Sequence, residues 1–206
     1  MEIELKYLID DDTKIDQMFE DPMISEIKDE KTEESINMDA IYFDTEDHSL
    51  TNEGIAFRVR MEGERYIATL KWNGTSENGM HKREEINIPV TDMNAVKHPT
   101  YDIFAQSEMS DVLETVIGTK ELKPLMEVAF VRRQVRLDSG KSISVFSVDN
   151  GEVSAGVKKE PIRELEIELY SGSEDDMRAF GERVREKFGL VPGNKSKFER
   201  GYELFR

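Results

Sequence analysis

The chain has 206 residues, 37% hydrophobic and 35% charged, enough apolar material for the core of one compact domain, read here as 1–206. Its formal net charge of −16 excludes a general nucleic-acid binder, so any phosphate-bearing ligand must find a local cationic cluster. There is no cysteine for disulfides or thiolate metal sites, and no apolar run suited to a membrane span or secretion signal, so the expected location is the cytoplasm.

The chain opens with "EIELKYLI" (2–9), which alternates with period two. Glu2, Glu4 and Lys6 fall on one face of the strand it predicts, and Ile3, Leu5 and Tyr7 on the other. "DDTKIDQMFED" (11–21) predicts a short helix, and "DEKTEES" (29–35) reads as a solvated charged segment before a strand ending in "DAIYFDT" (39–45). "IAFRVRME" (55–62) and "RYIATLKW" (65–72) alternate again, placing Arg58 with Arg60, and Thr69 with Lys71. "HKREEINIPV" (81–90) aligns Arg83, Glu85 and Asn87. Helical spacing over 100–118 is followed by strands at 125–138, 141–150 and 161–171, the last aligning Glu164, Glu166 and Glu168. "SEDDMRAFGERVREKFGLVP" (173–192) has a capping serine, an acidic first turn and a terminal glycine, and 194–205 predicts a last short helix. Glycine-containing turns at 62–64, 73–79, 138–141 and 149–152 mark hairpins between antiparallel strands.

For any one strand, a solvent-facing side explains the charged positions. Taken together, basic sets on some strands and carboxylate sets on others require more. If the sheet closes, its polar faces line an interior and its apolar faces are left for helices to cover. Arginine and lysine hold phosphate oxygens, and clustered carboxylates repel unless a cation sits among them, for which Mg²⁺ or Mn²⁺ is suited by its preference for oxygen ligands. Seven or eight such strands in one domain imply a large antiparallel sheet or barrel. The three histidines have no metal-ligand spacing, and Trp72 reads as a hairpin-end aromatic.

"EIELK" resembles the ExExK signature of the CYTH superfamily, the triphosphate tunnel metalloenzymes. The resemblance continues in order through "YFDT" (42–45), "FRVR" (57–60), "TLK" (69–71), "REE" (83–85), "VRRQVRL" (131–137), "VD" (148–149), "EIEL" (166–169) and "SKFERGY" (196–202). It implies an α+β fold, an eight-stranded antiparallel β-barrel with helices packed outside, whose tunnel binds a triphosphate with Mg²⁺ or Mn²⁺. Members hydrolyse inorganic or thiamine triphosphate, act as RNA triphosphatases, or cyclise ATP. Carried over by position, Glu2, Glu4, Asp149, Glu166 and Glu168 match the metal-side carboxylates. Lys6, Arg58, Arg60, Lys71, Arg83, Arg132 and Lys197 match the phosphate-holding cations, with Arg132 favoured over its neighbour Arg133. Lys6, Arg58 and Glu85 are the residues expected to act in the chemistry, while Asn87 stands where many members carry another glutamate. The expected activity is hydrolysis of inorganic triphosphate. A class IV adenylate cyclase, a thiamine triphosphatase and a non-catalytic polyphosphate-binding module are the alternatives. The implied partner is a small triphosphate, with no membrane; a homodimer is compatible with the family, although no motif encodes one.

Overall fold

A computed structural model describes residues 1–206. Eight long strands follow the alternating segments: β1 (Glu2–Leu8), β2 (Lys28–Asp44), β3 (Ala56–Glu62), β4 (Arg65–Glu77), β5 (Met80–Val90), β6 (Lys123–Asp138), β7 (Ser142–Ala155) and β8 (Lys158–Gly172). They pair antiparallel in the order β5-β4-β3-β2-β6-β7-β8-β1, and β1 returns to β5 through Glu2↔Arg83 to Leu5↔Met80. That last ladder closes the barrel. A two-residue strand, β9 (Val191–Pro192), pairs with the far end of β1.

Helices cover the outer face. Leu5, Tyr7, Val135, Phe146, Leu165 and Ile167 point outward and pack with α1 (Thr13–Glu20), α2 (Pro22–Ser25) and α6 (Glu174–Phe188). Met177, Phe180 and Val184 of α6 are buried there, at about 1.5–3 kcal/mol for each such side chain removed from water. Ser173 caps α6 by accepting from Asp176 N. A second apolar group joins Phe57, Leu70 and Phe104 to α3 (Ser49–Asn52) and α5 (Ser110–Ile117). A short α4 (Met93–Lys97) follows β5. No helix is long and apolar enough to cross a membrane.

The last helix, α7 (Lys197–Phe205), takes a different position. It packs on the inward-facing residues Met126 and Val153, where Gly201 leaves no room for a Cβ. A capping box between Ser196 and Glu199 fixes its first turn. Lys197 therefore enters the barrel from above, not from a strand.

Several boundaries differ from those expected, each for a local reason. The 149–152 turn is continuous strand: Gly151 opposes Phe130 in the β6–β7 ladder, and the turn falls instead at Gly156, whose φ of 62° suits glycine. The 29–35 segment is extended, and Glu34 pairs with Gln134. β4 runs on to Glu77 and the chain reverses at Asn78–Gly79, both with positive φ. The 100–118 helix breaks into a 3-10 turn (Tyr101–Phe104) and α5, because Ser107 Oγ donates to Phe104 O and accepts from Met109 N.

Candidate functional site

A cavity of about 700 Å³ lies within the barrel, lined mostly by polar and charged residues. Strand parity decides what enters it. Arg58 and Arg60 of β3, Lys71 of β4, Arg83 and Glu85 of β5, and Glu2, Glu4 and Lys6 of β1 all line it. From the opposite wall come Arg132 of β6 and Glu166 and Glu168 of β8, while Lys197 comes from α7. Arg133 points the other way: its guanidinium lies 4.0 Å from the Phe19 ring and pairs with Glu33 and Asp16 outside the barrel.

The wall divides into two electrostatic zones. On β3 and β4, Arg58 Nη1 donates to Tyr42 Oη at 3.3 Å, and Arg60 pairs with Glu62. The Nε atoms of both arginines are buried with no hydrogen-bond partner. Burial, then the Arg83 and Arg58 charges, lower the Lys71 pKa. Cations crowded closely enough to disfavour one another, with donors left over, make an anion site. Glu2 accepts from Lys71 Nζ at 2.8 Å and from Arg83; burial opposes its ionisation, but those two charges hold its carboxyl well below the usual range. Glu85 pairs with Lys71 and accepts from Asn87.

Glu4 accepts from Arg83 Nη2 at 2.8 Å and lies opposite Glu168 in the β1–β8 ladder. Burial, then the Glu2 and Glu4 charges, push the Glu168 carboxyl up to about 7. No ion pair relieves it. Glu168 thus stands beside Glu2 and Glu4 as the one carboxylate of the three that no cation compensates, and carboxylate oxygens are the donors a hard divalent ion prefers.

The deeper zone is saturated. Asp149, Glu164 and Glu166 are buried with carboxylate oxygens within 4.8 Å of one another, a spacing that would fit a metal. Lys197 Nζ lies 2.6 Å from Asp149 and 2.9 Å from Glu166, and also pairs with Glu164. Lys6 Nζ lies 2.8 Å from Glu166 and 3.4 Å from Glu164, and Arg132 grips Asp149 with two bonds of 2.7 Å. Burial opposes the charge on Glu166, yet Lys197, Lys6 and Arg132 hold its pKa well below the carboxylate range.

Sequence reasoning did not assign Glu62, Tyr42 or Arg200, and left Glu164 open. Arg200 binds Glu160 at 2.7 Å and Glu164 at 3.3 Å, tying α7 to β8. The signals were present: Glu62 shares the face of Arg58 and Arg60, and Arg200 follows Lys197 by one helical turn. The "YFDT" aspartate is architectural, since Asp44 accepts from Leu50 N and Thr51 N and so holds α3 at the cavity rim. His81 also supports the wall, with Nε2 2.7 Å from Gly193 O. Phe198 and Tyr202 line the cavity, whereas Trp72, on the opposite face of β4 from Lys71, packs against the outer cluster of Phe57 and Leu70.

The sequence profile of the CYTH domain matches residues 1–202. The chain belongs to the CYTH family. Consistent with that family, it is 30% identical over 167 residues to an inorganic triphosphatase of Haemophilus influenzae, covering 79% of this chain and 44% of that protein. A Hippeastrum protein named as an adenylyl cyclase and described as having a dominant triphosphatase activity superposes with a TM-score of 0.72 at 17% identity, over 98% of this chain and 96% of that one. A Pyrococcus horikoshii protein superposes with a TM-score of 0.61 at 19% identity, over 98% of this chain and 99% of that one. At these identities the superpositions establish the CYTH fold, a closed eight-stranded antiparallel barrel.

Proposed function

We propose that the protein is a metal-dependent hydrolase of the terminal phosphoanhydride of inorganic triphosphate. One observation carries the reading: buried Nε atoms of Arg58 and Arg60 lack partners in a cavity whose far wall holds the uncompensated Glu168. A buried donor without an acceptor is costly, and phosphate oxygens would satisfy it. The 30%-identical relative is named for this activity, although the chain spans less than half of its length.

In this reading Arg58, Arg60 and Lys71 bind the phosphate chain along β3 and β4, with Arg83 between them and the carboxylates. Glu85 fixes the Lys71 ammonium through their ion pair. Glu2, Glu4 and Glu168 would hold Mg²⁺ or Mn²⁺, which supplies charge neutralisation at phosphoryl oxygens and activation of water. The guanidinium groups orient the terminal phosphoryl for in-line displacement and stabilise charge moving onto the leaving pyrophosphate. Lys6 lies behind this layer, its ammonium satisfied by Glu164 and Glu166, and acts by fixing the Glu166 side of the wall.

A second reading, an organic triphosphate, draws on Phe198 and Tyr202 in the cavity lining, since aromatic side chains suit a flat ring. Phosphate release from inorganic triphosphate, thiamine triphosphate, ATP and GTP, each with Mg²⁺ and Mn²⁺, separates the two. The inorganic substrate is expected to turn over fastest; equal or faster turnover of ATP removes that specificity, and cyclic AMP among the products makes the protein a cyclase.

A further inference from the structure

The Asp149–Glu164–Glu166 cluster has the spacing of a metal site and the chemistry of something else. Each of its six carboxylate oxygens already meets a cationic donor. Asp149 Oδ1 and Oδ2 accept from Arg132, and Oδ2 also pairs with Lys197. Glu164 Oε1 pairs with Lys6 and Lys197, and its Oε2 with Arg200. Glu166 Oε1 pairs with Lys6 and Lys197, and its Oε2 with Arg132. Three carboxylates face four cations, but Lys6 is shared with Glu4 and Arg200 with Glu160. The cluster is therefore neutralised only while Lys197 is in place and would be net negative without it. Asp149 and Glu164 are fully buried, and Glu166, 6% exposed at the cavity wall, is the one member an incoming ion could meet first.

Lys197 is the central member, because its ammonium touches all three carboxylates. It is held there from outside the sheet. The capping box fixes the first turn of α7, Gly201 lets the helix approach Met126, and Arg200 ties the same helix to Glu160 and Glu164. A divalent ion would have to eject this ammonium and strand it, buried, against Arg132 and Lys6.

We propose that the Asp149–Glu164–Glu166 cluster is a lysine seat and not a divalent-cation site: α7 delivers Lys197 as its permanent cation. A divalent ion then has one location in the protein before substrate arrives, among Glu2, Glu4 and Glu168. The inference rests on the metal reading above only for that reference location.

The test is the stoichiometry of Mn²⁺ binding to the purified, substrate-free protein, read by loss of the free-Mn²⁺ paramagnetic resonance signal and by calorimetry. The natural chain should bind one ion, and Glu164→Gln should still bind one at an affinity within threefold. Lys197→Ala, verified as folded by circular dichroism, should gain a second ion that is lost again in Lys197→Ala/Asp149→Asn. Two ions in the natural chain with one lost in Glu164→Gln overturn the proposal, as does a folded Lys197→Ala protein that gains none. Should Lys197→Ala not fold, the Glu164→Gln stoichiometry decides alone. Glu168→Gln probes the other assignment separately: retention of the ion there refutes the Glu2–Glu4–Glu168 location while the Lys197→Ala result still judges the lysine seat.

Discussion

Arg58 donates to the Tyr42 hydroxyl across the β2–β3 ladder, at 3.3 Å from Nη1, and keeps its buried Nε free. Tyr42 thereby turns the guanidinium toward the cavity without consuming its donor set. Arg58→Ala should lower kcat/KM for triphosphate about 10- to 100-fold, the worth of a charge-assisted hydrogen bond or two, whereas Tyr42→Phe should cost less than about tenfold. Steady-state phosphate release checks both. An unchanged kcat/KM in Arg58→Ala removes this residue from the phosphate site.

Glu4 separates catalysis from binding. It pairs with Arg83 and lies beside Glu168, so its charge is needed at the carboxylate end and not at the phosphate end. Glu4→Gln should reduce kcat about 100-fold or more while shifting triphosphate affinity less than about tenfold. Calorimetric binding alongside turnover measures both. If neither changes, the barrel is a phosphate-binding module.

His81 sets a pH limit on stability. Burial, then the nearby Lys6 charge, lower its pKa, and its Nε2 must carry the proton shared with Gly193 O. In the unfolded chain the imidazole binds a proton near pH ~6.5, above the folded value. The unfolded state therefore holds more protons as pH falls through this range, and stability drops. It is fully present above the unfolded pKa and lost toward the folded one. Urea denaturation at pH 5, 6 and 8 should show that loss in the natural chain and a flatter profile in His81→Gln. Parallel profiles would mean that another group controls acid sensitivity.

Substitution at Gly151, which lies in continuous strand, should cost more than at Gly156, where the turn falls. A Cβ at Gly151 would overlap Ala129 O and Phe130 Cα, which are backbone atoms of the paired strand, whereas nothing lies near Gly156. Gly151→Ala should cost about 3 kcal/mol or more, and Gly156→Ala only about 1–2 kcal/mol for its left-handed backbone. Urea midpoints at constant m-value rank the two. The reverse order would place the hairpin turn at 149–152 after all.

The legible and illegible parts of this molecule divide along a physical line. A part of each of the eight long strands, and the face-sharing of Glu2, Glu4 and Lys6 or of Arg58 and Arg60, is legible in the chain because alternation is a property of the local backbone. The first half of β2 and the far ends of β4 and β7 are not. The "DNGE" stretch is not, because Gly151 is required by the close approach of β6 and not by its own torsion angles. Lys197 matches the phosphate-holding cations by resemblance, with structural pairing to an acidic neighbour as its alternative, and only the structure shows its ammonium among three carboxylates. The split of the 100–118 helix turns on one serine side chain. The sequence by itself determined which side chains travel together on a face, since that follows from a two-residue period. Only the tertiary structure decided which faces meet: closure through β1 and β5 and the docking of α7 join residues far apart in the chain, and no local periodicity encodes the register at which they come together.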